Sequence, residues 1–302
     1  MPEETAEDTA TRVFAEHREL LFSIVYNLLG SVADTEDVLQ DAWLAWAGRN
    51  RADDAEEIEN PRAYLVRIAV NTALSRQSQI RRRRETYVGP WLPEPLVTGA
   101  DAAESAERVE AVSMALLVVL ETLTPLERAV FVLHEVFGYA HTEIAGILDR
   151  SPAAVRQLAH RAREHVHARR PRYRTDPKVQ REVTERFLRA AFGGDLEALL
   201  DLLAPDVTLW TDGGGKVRKA ASLRPIRGRD KVARLVSLAA VNSRTASLAA
   251  RYRTVNGDPS AVLFAGDAPF AVMILDLSPE GDRITGIYAV TNPDKLSRVE
   301  GE

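Results

Sequence analysis

The stretch from His141 to Ala168 constrains this chain more than any other. Ile144, Ala145 and Leu148 mark a short helix over about 141–148. Asp149-Arg150 turns the chain. Ser151 then supplies a cap and Pro152 a first helical position, and Val155, Leu158, Ala159 and Ala162 give the next helix an apolar inner face. Two helices joined by so tight a turn, the second one basic, form a helix-turn-helix pattern. Arg156, His160 and Arg163 share one face of the second helix, with Gln157 beside them and Arg161, Arg169 and Arg170 flanking. Such a helix can enter a major groove, its N-terminal half at base edges and the arginines behind it on phosphates. The plainer alternative is a solvated basic helix.

Charge is distributed to match. The 302 residues carry a formal charge of −5, which hides an uneven layout. Residues 1–59 hold 4 Lys/Arg against 15 Asp/Glu, whereas residues 150–174 hold 8 Arg against the single acid Glu164. Screening confines a phosphate to its near neighbourhood, about 10 Å, so local charge decides. An acidic front and a basic middle imply two kinds of partner. Cys is absent, which excludes disulfides, thiolate metal sites and a Cys nucleophile. No metal and no cofactor is expected. The acidic start and the lack of a long apolar run point to a cytoplasmic protein.

Residues 12–85 read as helices. Val13 to Leu28 recur at helical spacing up to Gly30-Ser31. Asp34 is the expected N-cap of the next helix, which carries Val38, Leu39, Ala42, Trp43 and Trp46 on one face and Asp34, Asp37 and Asp41 on another. Asn60-Pro61 opens a third helix that bears Arg67, Asn71 and Arg76 and ends in the run Arg81–Arg84, a set suited to single-stranded DNA. Residues 86–107 are Pro-rich and read as a semi-rigid linker. Residues 108–170 return to helix, with Thr124-Pro125-Leu126-Glu127 as a capping box. Residues 177–298 mix helices with β-like runs at Val207–Trp210, Ser247–Val255, Ser260–Phe264, Phe270–Leu277 and Arg283–Val290, an α+β domain.

DTEDVLQDAWLAW resembles the polymerase-binding helix of bacterial extracytoplasmic-function (ECF) sigma factors. NPRAYLVRIAVNTALSRQ resembles their −10-recognition helix, and residues 123–163 resemble their −35-recognition domain. The remainder is similar to a SnoaL-like (NTF2-like, cone-shaped) domain. WLPEP (91–95), DGGGK (212–216) and NPDKL (292–296) resemble the subgroup in which that domain is fused to the sigma factor. The resemblance implies a multi-domain chain: sigma region 2 over 12–85, a linker over 86–107, sigma region 4 over 108–170, and the SnoaL-like domain over 177–298. It implies core RNA polymerase, through its beta-prime clamp helices and beta flap, and promoter DNA as partners, with no separate anti-sigma factor. It implies polymerase contacts at Asp34, Asp37, Gln40, Asp41, Trp43 and Trp46. It implies −10 contacts at Arg67, Asn71, Arg76, Arg81 and Arg82, and −35 contacts at Arg156, Gln157, His160, Arg161 and Arg163. It also implies regulation in cis through Trp91, Leu92, Pro93, Glu94 and Pro95, through Asp212, Gly213, Gly214, Gly215 and Lys216, and through Asn292, Pro293, Asp294, Lys295 and Leu296.

SnoaL-like folds include cyclases and isomerases, which need an acid/base pair. All six His residues precede residue 168, leaving Asp206, Asp212 and Asp276 as bases, and no catalysis is expected. Trp91 and Leu92 are expected to bury against the C-terminal domain near the two loops, holding the DNA-reading domains closed. Two alternatives stay open: a helix-turn-helix regulator whose C-terminal pocket senses a small ligand, and an isomerase-like enzyme with a DNA-binding appendage. If the basic helix meets phosphates, DNA affinity falls linearly in log–log form as salt rises, by close to one decade per decade of salt for each phosphate neutralised. Anisotropy titrations of a labelled duplex at several salt concentrations check this, and a flat profile would contradict it.

Overall fold

The structure, a computed structural model, describes residues 6–50, 58–98, 112–168, 175–217, 222–244 and 248–299. These residues fall into two compact units. The first takes the described residues up to 82, residue 112, and 119–168; the second takes 83–98, 113–118 and 175–299.

The first unit is helical. Helix α1 (Ala6–Leu29) stops at Gly30, whose φ of 66° is open to a residue without a Cβ. Helix α2 (Val32–Asn50) begins two residues before the expected cap. Ser31 caps it instead of Asp34: its hydroxyl accepts from the Asp34 N–H at 3.2 Å. The left-handed glycine lets the chain re-enter a helix at once, so Asp34 falls inside the first turn. Helix α3 (Pro61–Glu85) starts as expected, with the Asn60 side chain accepting from the Ala63 N–H at 3.0 Å.

Helix α4 (Met114–Leu120) leads to α5 (Pro125–Phe131), opened by the Thr124–Glu127 capping box and continued as one π-helical turn, Val132–Val136. Helices α6 (His141–Leu148) and α7 (Pro152–His167) then pack through Ile144, Leu148, Val155, Leu158 and Ala162. Arg128 ties α5 to α1. It is only 4% exposed, donates to the Asn27 carbonyl at 3.0 Å and pairs with Glu121 at 2.7 Å. Burial pushes its guanidinium down to about 9.

The second unit contains α8 (Pro177–Gly193), α9 (Leu196–Leu202), α10 (Arg229–Arg244), α11 (Pro293–Leu296) and a seven-stranded sheet. The strands are β1 (Val97–Thr98), β2 (Leu203–Asp212), β3 (Ile226–Arg227), β4 (Leu248–Val255), β5 (Asp258–Ala265), β6 (Ala268–Leu277) and β7 (Ile284–Val290), in the order β1-β4-β5-β6-β7-β2-β3. Only β2 and β7 run parallel. This is an α+β unit, as expected, and the five β-like runs each fall on a strand, apart from Arg283, which precedes β7, and Ser247, which lies outside the described residues.

The pleat sends alternate residues to opposite faces, and both faces here are apolar. Ala261, Leu263 and Leu275 join a core with Phe187, Leu199 and Val232 of the helices. Val262, Phe264 and Ile274 join a second core with Leu92, Met114, Leu296 and Val299. The second face therefore needs a cover, and the linker supplies part of it. Of residues 86–107 the described part is no loose tether: Val97 pairs with Val255, and the Asn256 N–H donates to the Leu96 carbonyl at 2.9 Å. Met114 and Ala115, expected in the helix-turn-helix domain, also belong to this second core.

Leu92 has 0% exposure. Leu92→Ala is expected to destabilise the second unit by about 2–5 kcal/mol. Urea unfolding followed at tryptophan checks this, and an unchanged midpoint would place Leu92 outside the core.

Candidate functional site

On the first unit the acidic helix and the −10 helix meet. Arg76 reaches from α3 to both carboxylates of α2, 2.9 Å from Asp37 and 2.6 Å from Asp41. A residue expected at the −10 strand is thus bonded to two residues expected at the polymerase. Asp37, Gln40 and Trp43 also line a cavity of about 320 Å³ together with Phe14, Arg18 and Glu36. Phe14 stands edge-on to Trp43 with ring centres 5.4 Å apart, and Arg18 pairs with Glu36 at 2.7 Å.

Asp34 and Trp46 lie elsewhere. They are 8% and 3% exposed, and the Trp46 indole donates to the Ala10 carbonyl at 2.9 Å. Both are buried, whereas Asp37 and Trp43 line the cavity. On α3, Arg67, Arg81 and Arg82 are exposed. The Asn71 amide donates to the Arg67 carbonyl at 2.8 Å and to the Ile147 carbonyl of α6 at 3.0 Å.

Helix α7 divides its charges. Arg156, Gln157 and His160 are exposed near its start, following the Ser151 cap, where the Ser151 hydroxyl accepts from the Ala154 N–H at 3.2 Å. Arg161 pairs with Glu127 at 3.1 Å, and Arg163 pairs with Glu135 of the π-helical turn. Glu127 also accepts from the Thr124 N–H at 3.1 Å, so one carboxylate closes the cap of α5 and holds α7. Arg161 and Arg163 are therefore staples of the motif as well as cations. Sequence patterning did not reveal this, because Glu127 and Glu135 sit on another helix. Arg169 and Arg170 lie outside the described residues.

In the second unit the three motif segments converge on Asp212, which has 0% exposure. One of its carboxylate oxygens accepts from the Tyr87 hydroxyl. The other accepts from the Leu92 N–H at 2.9 Å and from the Lys295 ammonium at 2.7 Å. Lys295 also donates to the Leu92 carbonyl and lies 3.5 Å from the centre of the Trp91 ring, a cation–π contact. Asn292 donates to the Tyr87 hydroxyl at 2.8 Å and caps α11. Pro93, Glu94 and Pro95 are buried, as are Gly213 and Leu296, whereas Pro293 comes after the cap and is exposed. Lys216 and Asp294 pair at 2.6 Å on the outside. Gly214 has a φ of 58°, and a Cβ there would meet the Asn292 amide at 2.6 Å, while Gly215 abuts Val88. Tyr87 was missed by the sequence reading, since a lone tyrosine before the WLPEP motif carries no spacing signal.

The two helical modules define a bacterial transcription initiation factor: residues 13–86 match Sigma-70 region 2 and residues 113–166 match Sigma-70, region 4. The chain is 37% identical over 295 residues to the ECF RNA polymerase sigma factor SigJ of Mycobacterium tuberculosis, covering 94% of this chain and 92% of the relative. It is 29% identical to the probable ECF RNA polymerase sigma factor SigI of the same species, covering 98% and 97%. The crystal structure of the Mycobacterium tuberculosis SigJ superposes with a TM-score of 0.73 at 34% identity, covering 95% of this chain and 98% of that one. This chain belongs to the ECF RNA polymerase sigma factors.

Burial, opposed by Asp212, pushes the Lys295 ammonium down from 10.5 to about 8. Burial and Asp212 push the Tyr87 hydroxyl far above the ordinary phenol range. Between those two lysine values the unfolded chain holds a proton that the folded chain has lost, so stability rises with pH there. Above about 10 the unfolded tyrosine ionises and the folded one does not, so stability then falls. Thermal unfolding of the second unit is expected to peak near pH 10, and Lys295→Met should remove the rise. A melting temperature that falls from pH 8 onward would contradict the assignment.

Proposed function

We propose that this sigma factor binds core RNA polymerase through the α1–α2 surface around Asp37, Gln40, Asp41 and Trp43. Helix α3 then holds the −10 strand through Arg67, Asn71, Arg81 and Arg82, with Arg76 moving from the α2 carboxylates to phosphate. Helix α7 reads the −35 duplex, with Arg156, Gln157 and His160 toward the groove and Arg161 and Arg163 behind them. The beta flap is the second contact on polymerase, made by the helix-turn-helix domain. The chain acts in the cytoplasm, where core polymerase and promoters are.

One observation carries this reading. Arg156 and Gln157 stay exposed on the leading half of α7, while the cations behind them are held by Glu127 and Glu135. A helix kept merely soluble by its charge needs no such sorting. A cation left to solvent at the leading end is available for bidentate pairing with guanine.

The second unit regulates in cis. Residues 91–95 follow α3 in the chain and are gripped by Asp212 and Lys295, which makes this segment the point through which regulation acts. Such a device makes a separate anti-sigma factor unnecessary. The unit performs no catalysis: Asp212 is committed to Lys295 and Tyr87, Asp276 accepts from the Tyr288 hydroxyl at 3.1 Å, and Asp206 is exposed on its strand.

In-vitro transcription with purified core polymerase tests the reading. The chain is expected to confer starts at discrete promoters. Arg156→Ala should lower promoter discrimination by about 1–3 kcal/mol at one base position. No promoter-specific start with core polymerase alone would overturn the proposal, and a loss equal on every sequence would make Arg156 a backbone contact.

A further inference from the structure

The π-helical turn between α5 and α6 places two imidazoles together. The His134 and His141 ring centres are 4.1 Å apart with planes inclined at 33°. His134 Nδ1 lies 2.8 Å from the Tyr139 carbonyl oxygen, which can only accept, so His134 donates from Nδ1. His141, half-buried at the start of α6, is the ring with an open edge.

The charges facing His141 come from two other elements. Arg156 and Arg163 approach from α7, and His134 and Glu135 from the π-helical turn. Glu135 is the one carboxylate of this group, and it is already bound by Arg163. Burial first, then His134, Arg163 and Arg156, push the His141 ring below its ordinary value, and Glu135 opposes them. A proton on His141 therefore enters a place with surplus positive charge. An added anion would reverse that balance, and the first helix of a helix-turn-helix is the one that crosses the nucleic-acid backbone.

We propose that His141 contacts a phosphate of the −35 duplex as an imidazolium, so that docking of the helix-turn-helix takes up one proton. The step is one hydrogen ion passed from the buffer acid, which becomes its conjugate base, onto the imidazole nitrogen, followed by an ion pair with a phosphodiester oxygen. This rests on the reading of α7 as the DNA-facing helix. It makes His141 a positioning contact to backbone, outside the residues that read bases.

The test uses the full chain and a fluorescein-labelled random-sequence duplex at constant ionic strength, followed by anisotropy from about pH 8 to about pH 6. The wild-type affinity is expected to rise as pH falls, by up to about tenfold for one linked proton over one unit. His141→Gln should lack that gain. His160 is a second imidazole, on α7, so the difference between the two proteins is the readout. A gain of equal size in His141→Gln would overturn the proposal.

Arg156→Glu separates the two readings. Loss of affinity at every pH sustains the DNA-facing helix, whereas unchanged affinity at every pH sinks that reading and the proton with it. Should circular dichroism show His141→Gln unfolded, calorimetry of the wild-type chain in two buffers of different ionisation enthalpy counts the protons directly. A heat of binding that depends on the buffer supports proton uptake, and a heat independent of buffer overturns it.

Discussion

A carboxylate with no solvent contact must find its compensation among its neighbours. Asp212 draws its partners from separate stretches of chain: Tyr87 and the Leu92 N–H from the linker, and Lys295 from the helix after the last strand. None of the three would be satisfied without it. Lys295 would be a buried cation left with one carbonyl and the rings of Trp91 and Tyr87, and the Leu92 N–H would be a buried donor without its acceptor. The same segment carries Leu92 into the second core of the sheet. Charge neutralisation and apolar burial thus act on one short piece of chain.

A sheet apolar on both faces explains why the linker is drawn in at all. Helices α8, α9 and α10 cover one face, and on the other Val262, Phe264, Val272 and Ile274 are covered only in part by Leu296 and Val299 of the C-terminal segment. Leu92, Met114 and Ala115 meet that need. The division of the chain into modules by function therefore does not coincide with its division by packing. Residues 113–118 open the stretch that matches Sigma-70, region 4, yet they are packed with the sheet.

In the helical unit the recurring theme is which charges are committed. Arg76 is shared by Asp37 and Asp41, Arg161 is held by the capping carboxylate Glu127, and Arg163 by Glu135. Each pair is at least partly exposed and individually worth little. Their effect is to hold side chains in place until a polyanion or a basic partner competes for them. Arg128 is different. It is buried, and its links to Asn27 and Glu121 belong to the architecture.

Much of this was legible in the sequence because caps and periodicity are local. Pro61, Pro125 and Pro152 mark helix starts where the structure has them, and the strand runs are apolar at consecutive positions, as a sheet buried on both faces requires. Asp34 misled because Ser31, three residues earlier, already caps the helix by accepting from the Asp34 N–H. The strand at Val97 was invisible, since two residues have no period. Tyr87, Glu135 and the pairing of Glu127 with Arg161 were missed because they depend on partners distant in sequence. The motif segments at 91–95, 212–216 and 292–296 were singled out by resemblance, and their meeting at one carboxylate is a property of the fold alone.

Amide hydrogen exchange on the full chain with Asp212→Ala tests the central claim most directly. If Asp212 organises the linker, protection is lost at Leu92 and Leu96 while the amides of α7 keep theirs. Undiminished protection at Leu92 would show that apolar burial holds the linker without the carboxylate, contradicting the account.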